Sequence, residues 1–312
     1  MRELNNVKVI GTDHGFGNMK VASACFRSGV TLCEKEPAFK ENLLVYDGRY
    51  YLIGESHKEF TPDKMRDEDY YLLTLAAIGE ELHANGLTSA LVHIAAGLPL
   101  TWVSEQKDRF RAYLTQNYNV SLTFRGVEYH VTITGASVFP QGFAAVADKL
   151  REFRSANLLC DIGNGTMNMM FICDGKPDPA RCWTEKYGVH QCVLAVREAV
   201  LRKFGTALDD SIIEDVLRNG TADLSQRYLD LVQQTAREYV GGIMRRLREH
   251  EYDPETVRLY IVGGGGCLVR HFGEYDDQRV TIDPDICATA KGYEAMAALR
   301  LRRDREKLGG AA

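Results

Sequence analysis

Several features that would assign a function class directly are missing from this sequence. No segment approaches the roughly 20 consecutive apolar residues that a membrane-spanning helix needs, and no cleavable apolar stretch stands at the start. The eight cysteines form no C-x-x-C pair and show none of the usual spacings of zinc ligands. Most of them lie in apolar runs, which is typical of buried thiols. We therefore expect a cytoplasmic protein with reduced cysteines and no contact with a membrane.

A basic surface is also missing. The net charge is −5 at pH 7 and the isoelectric point is near 5.9, so the chain carries no overall field that would attract nucleic acid. The arginines near the end of the chain, Arg300, Arg302, Arg303 and Arg305, are expected to form a solvated helix face. Direct binding to DNA is therefore not expected, and any link to DNA would need a partner protein.

Two common nucleotide-binding motifs are absent as well. The sequence contains no G-x-x-x-x-G-K-[S/T], which excludes the phosphate loop of P-loop NTPases. A Rossmann glycine loop must open a helix, whereas Gly17 is followed by a run with strand character from Met19 to Phe26. A dinucleotide site of the Rossmann type is therefore also excluded.

What the sequence does contain is a pair of similar glycine-rich turns, Asp13 to Lys20 and Asp161 to Thr166. Each has the pattern D-x-G-x-G, and each follows an apolar strand and precedes another. Glycine at the tip of such a turn lets backbone N–H groups approach a phosphate, because no Cβ stands in the way. One turn alone would be read as an ordinary hairpin, but two on matching strands of successive halves predict a polyphosphate site.

The aspartates in these turns predict a divalent cation. A carboxylate beside a phosphate is repulsive unless a cation lies between them, so the pattern predicts Mg²⁺. A third feature is the run Gly263 to Gly266, which follows a strand that ends at Val262. Such a turn would let the backbone lie flat against a nucleobase or ribose, although runs of glycine also serve as sharp turns between a strand and a helix.

The repeated strand pattern predicts two lobes, 1–155 and 156–312. No low-complexity linker separates the halves, so this boundary is inferred from the strand pattern and not from composition. The first lobe is expected to carry a small β-rich subdomain at about 30–90, and the second a helical subdomain at about 185–255. Helical spacing of apolar residues predicts a helix from Gln141 to Phe153, and Ser104 is expected to cap another helix. The last helix is expected to pack back on the first lobe.

At this point the sequence resembles the superfamily of actin and the heat-shock chaperone ATPases. Asp13-x-Gly15-x-Gly17-x-x-Lys20 is similar to its first phosphate loop, Asp161 to Thr166 to its second, and Val262 to Gly266 to its adenosine motif. The closing Ala288-x-Ala290-x-Gly292-Tyr293 most resembles plasmid-segregating bacterial actins of the ParM type. The resemblance implies an α/β, two-lobed actin-type fold of duplicated ribonuclease-H-like domains with a nucleotide in the cleft, and assembly into filaments.

The resemblance also implies roles for individual residues. Asp13 and Asp161 are expected to hold Mg²⁺ largely through water, Lys20 to meet the β- and γ-phosphates, and Asp161 to polarise the attacking water. Gln141 is expected to orient that water, although a stricter alignment with ParM places Ala136 at its glutamate position. His14 could contact phosphate, but a histidine in a turn is more often a solvated or packed residue without a role. The expected nucleotide contacts are Gly15, Phe16, Gly17, Asn18, Lys20, Gly163, Asn164, Gly165, Thr166, Glu185, Lys186, Glu214, Gly263, Gly264, Gly265 and Gly266.

Three functions remain open from the sequence. The first is a filament-forming ATPase or GTPase that partners with itself head to tail and reaches plasmid DNA through a DNA-binding adaptor. The second is a phosphotransferase or polyphosphate phosphatase of the same fold that does not polymerise. A non-hydrolysing scaffold is disfavoured because Asp13 and Asp161 are both present.

Overall fold

Two compact units make up the chain. The computed structural model describes residues 1–55 and 63–309. Residues 1–148 and 287–312 belong to the first unit, and residues 149–286 form the second. The lobe limits expected from the sequence, 1–155 and 156–312, stay predictions, as do the subdomains at 30–90 and 185–255; residues 56–62 of the first subdomain lie outside the described residues.

The first unit is built on one large mixed sheet. Its strands are β1 (Arg2–Leu4), β2 (Val7–His14), β3 (Asn18–Lys20), β4 (Cys25–Arg27), β5 (Val30–Cys33), β6 (Leu43–Tyr46), β7 (Arg49–Ile53), β8 (Ser89–Leu98), β9 (Asn119–Phe124) and β10 (Val127–Pro140). Within the described residues their order is β4-β3-β2-β8-β10-β9-β6-β7-β5, and β1 also pairs with β2. The central strands β2, β8 and β10 run parallel, so their carboxyl ends meet at one edge of the sheet.

Strand alternation separates the two faces of this sheet. Helices α1 (Asp69–Ala84) and α2 (Leu100–Leu114) share one core with Ile10, Val92 and Ile94. The neighbouring positions Val9 and Ala95 belong to another cluster, which includes residues of the final helix α7 (Ala288–Gly309). Successive side chains of a strand point to opposite faces, so both faces of the central strands are covered.

Helix α7 approaches the sheet very closely. A Cβ on Gly11 of β2 would lie 1.9 Å from the carbonyl oxygen of Ala290, so only glycine fits at this position. The backbone N–H of Gly11 also donates a hydrogen bond to Glu294 Oε1 at 3.1 Å. The last helix therefore packs directly on β2, the strand that carries Asp13 near its end.

The second unit repeats the arrangement on a smaller scale. Its strands are β11 (Ala156–Ile162), β12 (Met167–Cys173), β13 (Lys176–Glu185), β14 (Arg258–Val262) and β15 (Val280–Ile282), in the order β13-β12-β11-β14-β15. Its helices are α3 (Val189–Phe204), α4 (Asp210–Asn219), α5 (Gln226–Glu249) and α6 (Gly266–Phe272). Strands β11 and β14 pair in parallel, so the turns that follow them lie at the same edge.

Most predicted strands and helices are present, but two helix predictions are wrong. Helix α2 begins at Leu100, directly after Pro99, and not at Ser104. The segment predicted as a helix from Gln141 to Phe153 contains two short 3₁₀ turns, Phe143–Val146 and Leu150–Glu152. Gly142 has φ 78°, which does not continue a right-handed helix. No helix in residues 1–55 and 63–309 combines the length and hydropathy needed to cross a bilayer.

Candidate functional site

The first glycine turn joins β2 to β3 and is held by a serine outside it. The Ser28 hydroxyl donates to the carbonyl oxygen of Gly15 at 2.7 Å. The Ser28 backbone N–H donates to the carbonyl oxygen of Gly17 at 3.0 Å. Ser28 is fully buried, so these bonds fix two peptide planes of the turn. The sequence analysis did not single out Ser28, because no motif marks a serine at this distance from the glycines.

Three of the predicted site residues come together at the end of β2. Asp13 Oδ2 accepts a hydrogen bond from Lys20 Nζ at 3.0 Å, and Asp13 Oδ1 accepts one from Gln141 Nε2 at 3.0 Å. The parallel alignment of β2, β8 and β10 explains this meeting, because Asp13 is the second-last residue of β2 and Gln141 directly follows β10. Ala136, the alternative position to Gln141, lies buried within β10, opposite Ile94.

A buried lysine adjoins this cluster and was missed from the sequence. Lys64 is 1% exposed, and its ammonium donates to the carbonyl oxygen of His14. It also lies over the rings of Phe16 and Tyr70, at 5.5 and 5.6 Å from their centroids. Lys64 stands in a polar stretch between Asp63 and Asp67, which reads as a solvated surface. Only tertiary packing buries it.

The electrostatics of the cluster favour an anion. Burial alone would raise the pKa of Asp13, but the Lys20 ammonium and the Gln141 amide outweigh it, and the pKa lies below its usual value. Burial lowers the pKa of Lys64 to about 8, although the Asp13 carboxylate opposes this shift. At neutral pH two ammonium groups therefore accompany one carboxylate beside the first glycine turn.

His14 is packed away from this cluster. The Thr74 hydroxyl donates to the carbonyl oxygen of Tyr70 at 2.6 Å, so it accepts from His14 Nε2, which is 2.8 Å away. The imidazole meets the ring of Phe110 edge to face, with 5.4 Å between the centroids. Burial, with the Lys64 charge as the next cause, lowers the pKa of His14 to about 3. The ring is therefore neutral and acts as a packing residue.

The donor set suits a hydrated magnesium ion shared with phosphate. Mg²⁺ keeps several waters and usually needs only one or two carboxylates from the protein. Asp13 is ionised at neutral pH, and both of its oxygens already accept hydrogen bonds, which fits contact through water. In the described part of the chain, no three His, Cys, Asp or Glu side chains converge as a ready-made metal cage. Asp13 therefore fits the predicted role but not that of a multidentate ligand.

The second glycine turn joins β11 to β12 and is held by the start of α3. The carbonyl oxygen of Gly163 accepts a hydrogen bond from the Val189 N–H at 3.1 Å. The carbonyl oxygen of Asn164 accepts one from the His190 N–H at 2.9 Å. The turn is closed by the Gly163 N–H, which donates to the carbonyl oxygen of Thr166 at 2.8 Å. As in the first turn, the carbonyl groups are fixed by a neighbouring segment.

The four-glycine turn meets Asp161 within the second unit. Strand β14 pairs with β11 so that Val262 stands opposite Asp161. Gly263 follows with φ 86°, and a Cβ there would lie 2.6 Å from Asp161 Oδ1 and 2.7 Å from the carbonyl oxygen of Ile162. The half-buried Asp161 carboxylate, the second glycine turn and the four-glycine turn therefore share one edge of the sheet.

This contact predicts a strong effect of a single methyl group. We expect Gly263→Ala to destabilise the protein by roughly 1–3 kcal/mol, because it adds both a strained positive φ and a clash. Urea denaturation of this variant and of Gly264→Ala would measure the difference, since a Cβ on Gly264 meets open space. Equal stability of the two variants would contradict the predicted contact.

Three further predicted nucleotide contacts, Glu185, Lys186 and Glu214, lie in the second unit. Glu185 ends β13, where its carboxylate pairs with Arg246 Nε at 2.9 Å and His250 Nε2 at 2.5 Å. Lys186 follows on the exposed surface, and Glu214 lies half-buried in the middle of α4. Glu185 therefore has protein partners for both oxygens, and the nucleotide roles of all three residues stay predictions.

Comparisons with known proteins agree with this fold. Residues 11–143 match the family model described as actin like proteins N terminal domain, and residues 159–274 match the C-terminal model of the archaeal actin homologue MreB-like family. No curated protein sequence matches the chain significantly.

Solved structures give the same picture. The archaeal actin homologue Ta0583 has a TM-score of 0.75 and 20% identity, covering 93% of this chain and 98% of that chain. ParM of Bacillus thuringiensis, solved with ATP, has a TM-score of 0.70 and 13% identity, covering 96% of this chain and 100% of that chain. The Alp12 filament structure has a TM-score of 0.68 and 16% identity, covering 95% of this chain and 100% of that chain.

These identities are low, so the solved structures support the fold alone. The family matches add a sequence signal, because each falls on one of the two halves that carry a glycine turn. The predicted α/β actin-type fold is therefore confirmed, with an actin-like N-terminal domain matched over residues 11–143 and an MreB-like C-terminal domain matched over residues 159–274.

Proposed function

We propose that this protein binds a nucleoside triphosphate with Mg²⁺, hydrolyses its γ-phosphate and assembles into filaments whose turnover follows hydrolysis. The observation that carries the proposal is the cluster of Asp13, Lys20 and Gln141 beside the first glycine turn, with both hydrogen bonds at 3.0 Å. A carboxylate, an ammonium and an amide at a glycine turn are groups that phosphoryl transfer uses for positioning and charge stabilisation.

Each residue of the first turn has a proposed role. Asp13 would hold the cation through water, and Lys20 would leave Asp13 to meet the β- and γ-phosphates as a point charge. The amide nitrogen of Gln141 donates to Asp13, so its oxygen remains the group that would orient the attacking water. The backbone N–H groups of Phe16, Gly17 and Asn18 would bind phosphate oxygens, whereas the Gly15 N–H already donates to the carbonyl oxygen of Asp13 at 3.1 Å. Bound magnesium would supply charge neutralisation for the phosphates.

The second unit would complete the site. We propose that Asp161 polarises the attacking water and that residues 163–166 bind phosphate oxygens of the same nucleotide. The four-glycine turn would meet the nucleoside, with Lys186 and Glu214 as further contacts. Because Glu185 already pairs with Arg246 and His250, it would act on the nucleotide only by exchanging these partners. The neighbouring structures solved with ATP and with ADP support an adenine nucleotide, and GTP remains part of the proposal.

A general rule of symmetry allows filament assembly. Head-to-tail contacts are heterologous and need not close, so one globular chain can build a fibre. Hydrolysis changes assembly only if the two nucleotide states differ in affinity, and about 1.4 kcal/mol changes the critical concentration tenfold. The filament structure of Alp12 supports this part of the proposal.

The proposal also includes a cellular role. We propose that the filaments segregate a plasmid in the cytoplasm and that a DNA-binding adaptor links them to it. The net charge of −5 supports indirect attachment to DNA, and the scattered spacing of the eight cysteines, without a C-x-x-C pair, supports a reducing compartment.

One experiment tests the central claim. Purified protein with Mg²⁺ and ATP, GTP or ADP would be followed by light scattering and pelleting, with phosphate release recorded in parallel. We expect assembly above a critical concentration with a triphosphate, followed by phosphate release and loss of polymer. Turnover without assembly at any concentration would instead indicate a phosphatase or phosphotransferase of this fold. No nucleotide binding would overturn the proposal.

A further inference from the structure

The second glycine turn rests on a short segment, Glu185 to Gly188, that leads from β13 into α3. The first amides of α3 donate to the carbonyl groups of Gly163 and Asn164, at 3.1 and 2.9 Å. Gly188 is packed against the turn so closely that a Cβ would lie 2.4 Å from the carbonyl oxygen of Asn164. Any displacement of this segment is therefore transmitted to the turn.

Helix α5 contacts the end of this segment, at Tyr187 and Gly188. The Tyr239 hydroxyl donates a hydrogen bond to the carbonyl oxygen of Gly188 at 2.7 Å, and this pair is buried. The ring of Tyr239 stacks on that of Tyr187, with 4.3 Å between centroids and 6° between planes. The guanidinium of Arg246 covers Tyr187, 3.7 Å from its centroid. Tyr187 is thus bound between two side chains of one helix.

The same helix also holds the segment at its beginning. Glu185 forms an ion pair with Arg246, whose Nε lies 2.9 Å from the carboxylate. It also accepts a hydrogen bond from His250 Nε2 at 2.5 Å. These side chains are between a fifth and a third exposed, at 27% for Glu185, 30% for Arg246 and 21% for His250. Partly exposed pairs add little to stability, so their main effect is to fix geometry. Arg246 is suited to this, because its planar group pairs with a carboxylate and stacks on a ring at once.

We propose that Tyr239 and Arg246 of α5 are positioning residues for the second glycine turn, acting through Tyr187, Glu185 and Gly188. They fix where the carbonyl groups of Gly163 and Asn164, and hence the N–H groups of Asn164 and Gly165, point. The inference deepens the proposed function and rests on it for its effect on hydrolysis. It also gives Glu185 a role different from the nucleotide contact expected from the sequence.

Two matched pairs of variants test the inference without nucleotide. Tyr239→Phe keeps the ring and removes the bond to Gly188, whereas Tyr228→Phe makes the same change on α5, where the ring stacks on Phe204. Arg246→Met removes the guanidinium over Tyr187, and Arg245→Met changes an exposed neighbour on the same helix. The readout is hydrogen exchange of the Val189 and His190 amides, which donate to the turn. We expect roughly threefold to tenfold faster exchange in Tyr239→Phe and Arg246→Met only.

A second readout separates this inference from the proposed function. With nucleotide, Tyr239→Phe is expected to lower kcat for phosphate release roughly threefold to tenfold with little change in KM, because a misplaced turn acts mainly on the transition state. Unchanged amide exchange in both variants, or equal exchange in the controls, would overturn the inference even if the wild-type protein hydrolyses ATP. Faster exchange together with an inactive wild-type protein would support positioning by α5 and overturn the proposed function instead.

Discussion

Asp161→Ala is expected to slow phosphate release by about 10²–10⁴-fold while nucleotide still binds. Asp161 is the second-last residue of β11, and its carboxylate lies against Gly263 at the edge that also carries the second glycine turn. We propose that it polarises the attacking water, so its loss would remove general-base assistance and leave the N–H groups of the turn in place. Polymers formed with ATP are then expected to last longer, because hydrolysis weakens the lattice later.

Single-turnover phosphate release at saturating Mg²⁺, with nucleotide binding measured separately by calorimetry, would check this expectation. Asp277→Ala is the matched control, because Asp277 is an exposed aspartate of the same unit. An unchanged rate of phosphate release would remove Asp161 from its proposed role. Loss of binding alone would assign it to the cation or the phosphates and not to the attacking water.

Lys64→Met is expected to change how stability depends on pH. Burial lowers the pKa of Lys64 from 10.5 to about 8 in the folded protein, which corresponds to about 3 kcal/mol. Between these values the unfolded chain binds more protons than the folded one, so the stability of the wild-type protein rises with pH. Below pH 8 the full cost of burying the ammonium is present, and above about 10.5 it is gone. The variant lacks this contribution.

Urea denaturation between pH 7 and pH 10 would measure the free energy of unfolding of both proteins. We expect the wild type to gain stability relative to Lys64→Met as the pH rises. Methionine also removes the donor to the His14 carbonyl, but that loss adds an offset that does not vary with pH. Lys35→Met, at an exposed lysine of the same unit, serves as the control. Parallel curves for wild type and Lys64→Met would show that Lys64 does not titrate as a buried group.

The glycine turns could be predicted from the sequence because their information is local. The pattern D-x-G-x-G between two apolar runs specifies a strand, a tight turn and a carboxylate at the strand end, whatever the rest of the fold. Parallel pairing then brings Gln141 to Asp13 and Val262 to Asp161, as the predicted fold requires. Lys20 could be predicted for the same reason, since it pairs with Asp13 across a short hairpin.

The residues that hold these turns could not be predicted in this way. Ser28 and Lys64 carry no motif, and each reaches the first turn only because tertiary packing buries it. Tyr239 lies on a long amphipathic helix, where an aromatic residue reads as part of the core. Its hydroxyl bond to Gly188 depends on the packing of α5 against α3, which helical periodicity does not specify.

The failed helix prediction between β10 and β11 has a similar cause. Apolar residues at helical spacing run through this segment, but its two ends have different partners. At the first end, Ala144 packs with Tyr293 of α7. At the other end, Lys149 donates to Asp283 Oδ2 at 2.7 Å. The ring centroids of Phe153 and Tyr260 are 5.3 Å apart. These contacts stabilise two short 3₁₀ turns more than one continuous helix, so tertiary structure overrides local preference.

The position of α7 has a consequence for protein synthesis. The sheet face formed by Val9, Ala95 and Phe139 is covered by a helix that leaves the ribosome after all of residues 149–286. At ordinary elongation rates this delay is on the order of ten seconds, during which that apolar face is open to chaperones or to other nascent chains. The later unit can therefore fold first, and the earlier one is completed only when α7 docks on the glycine at position 11.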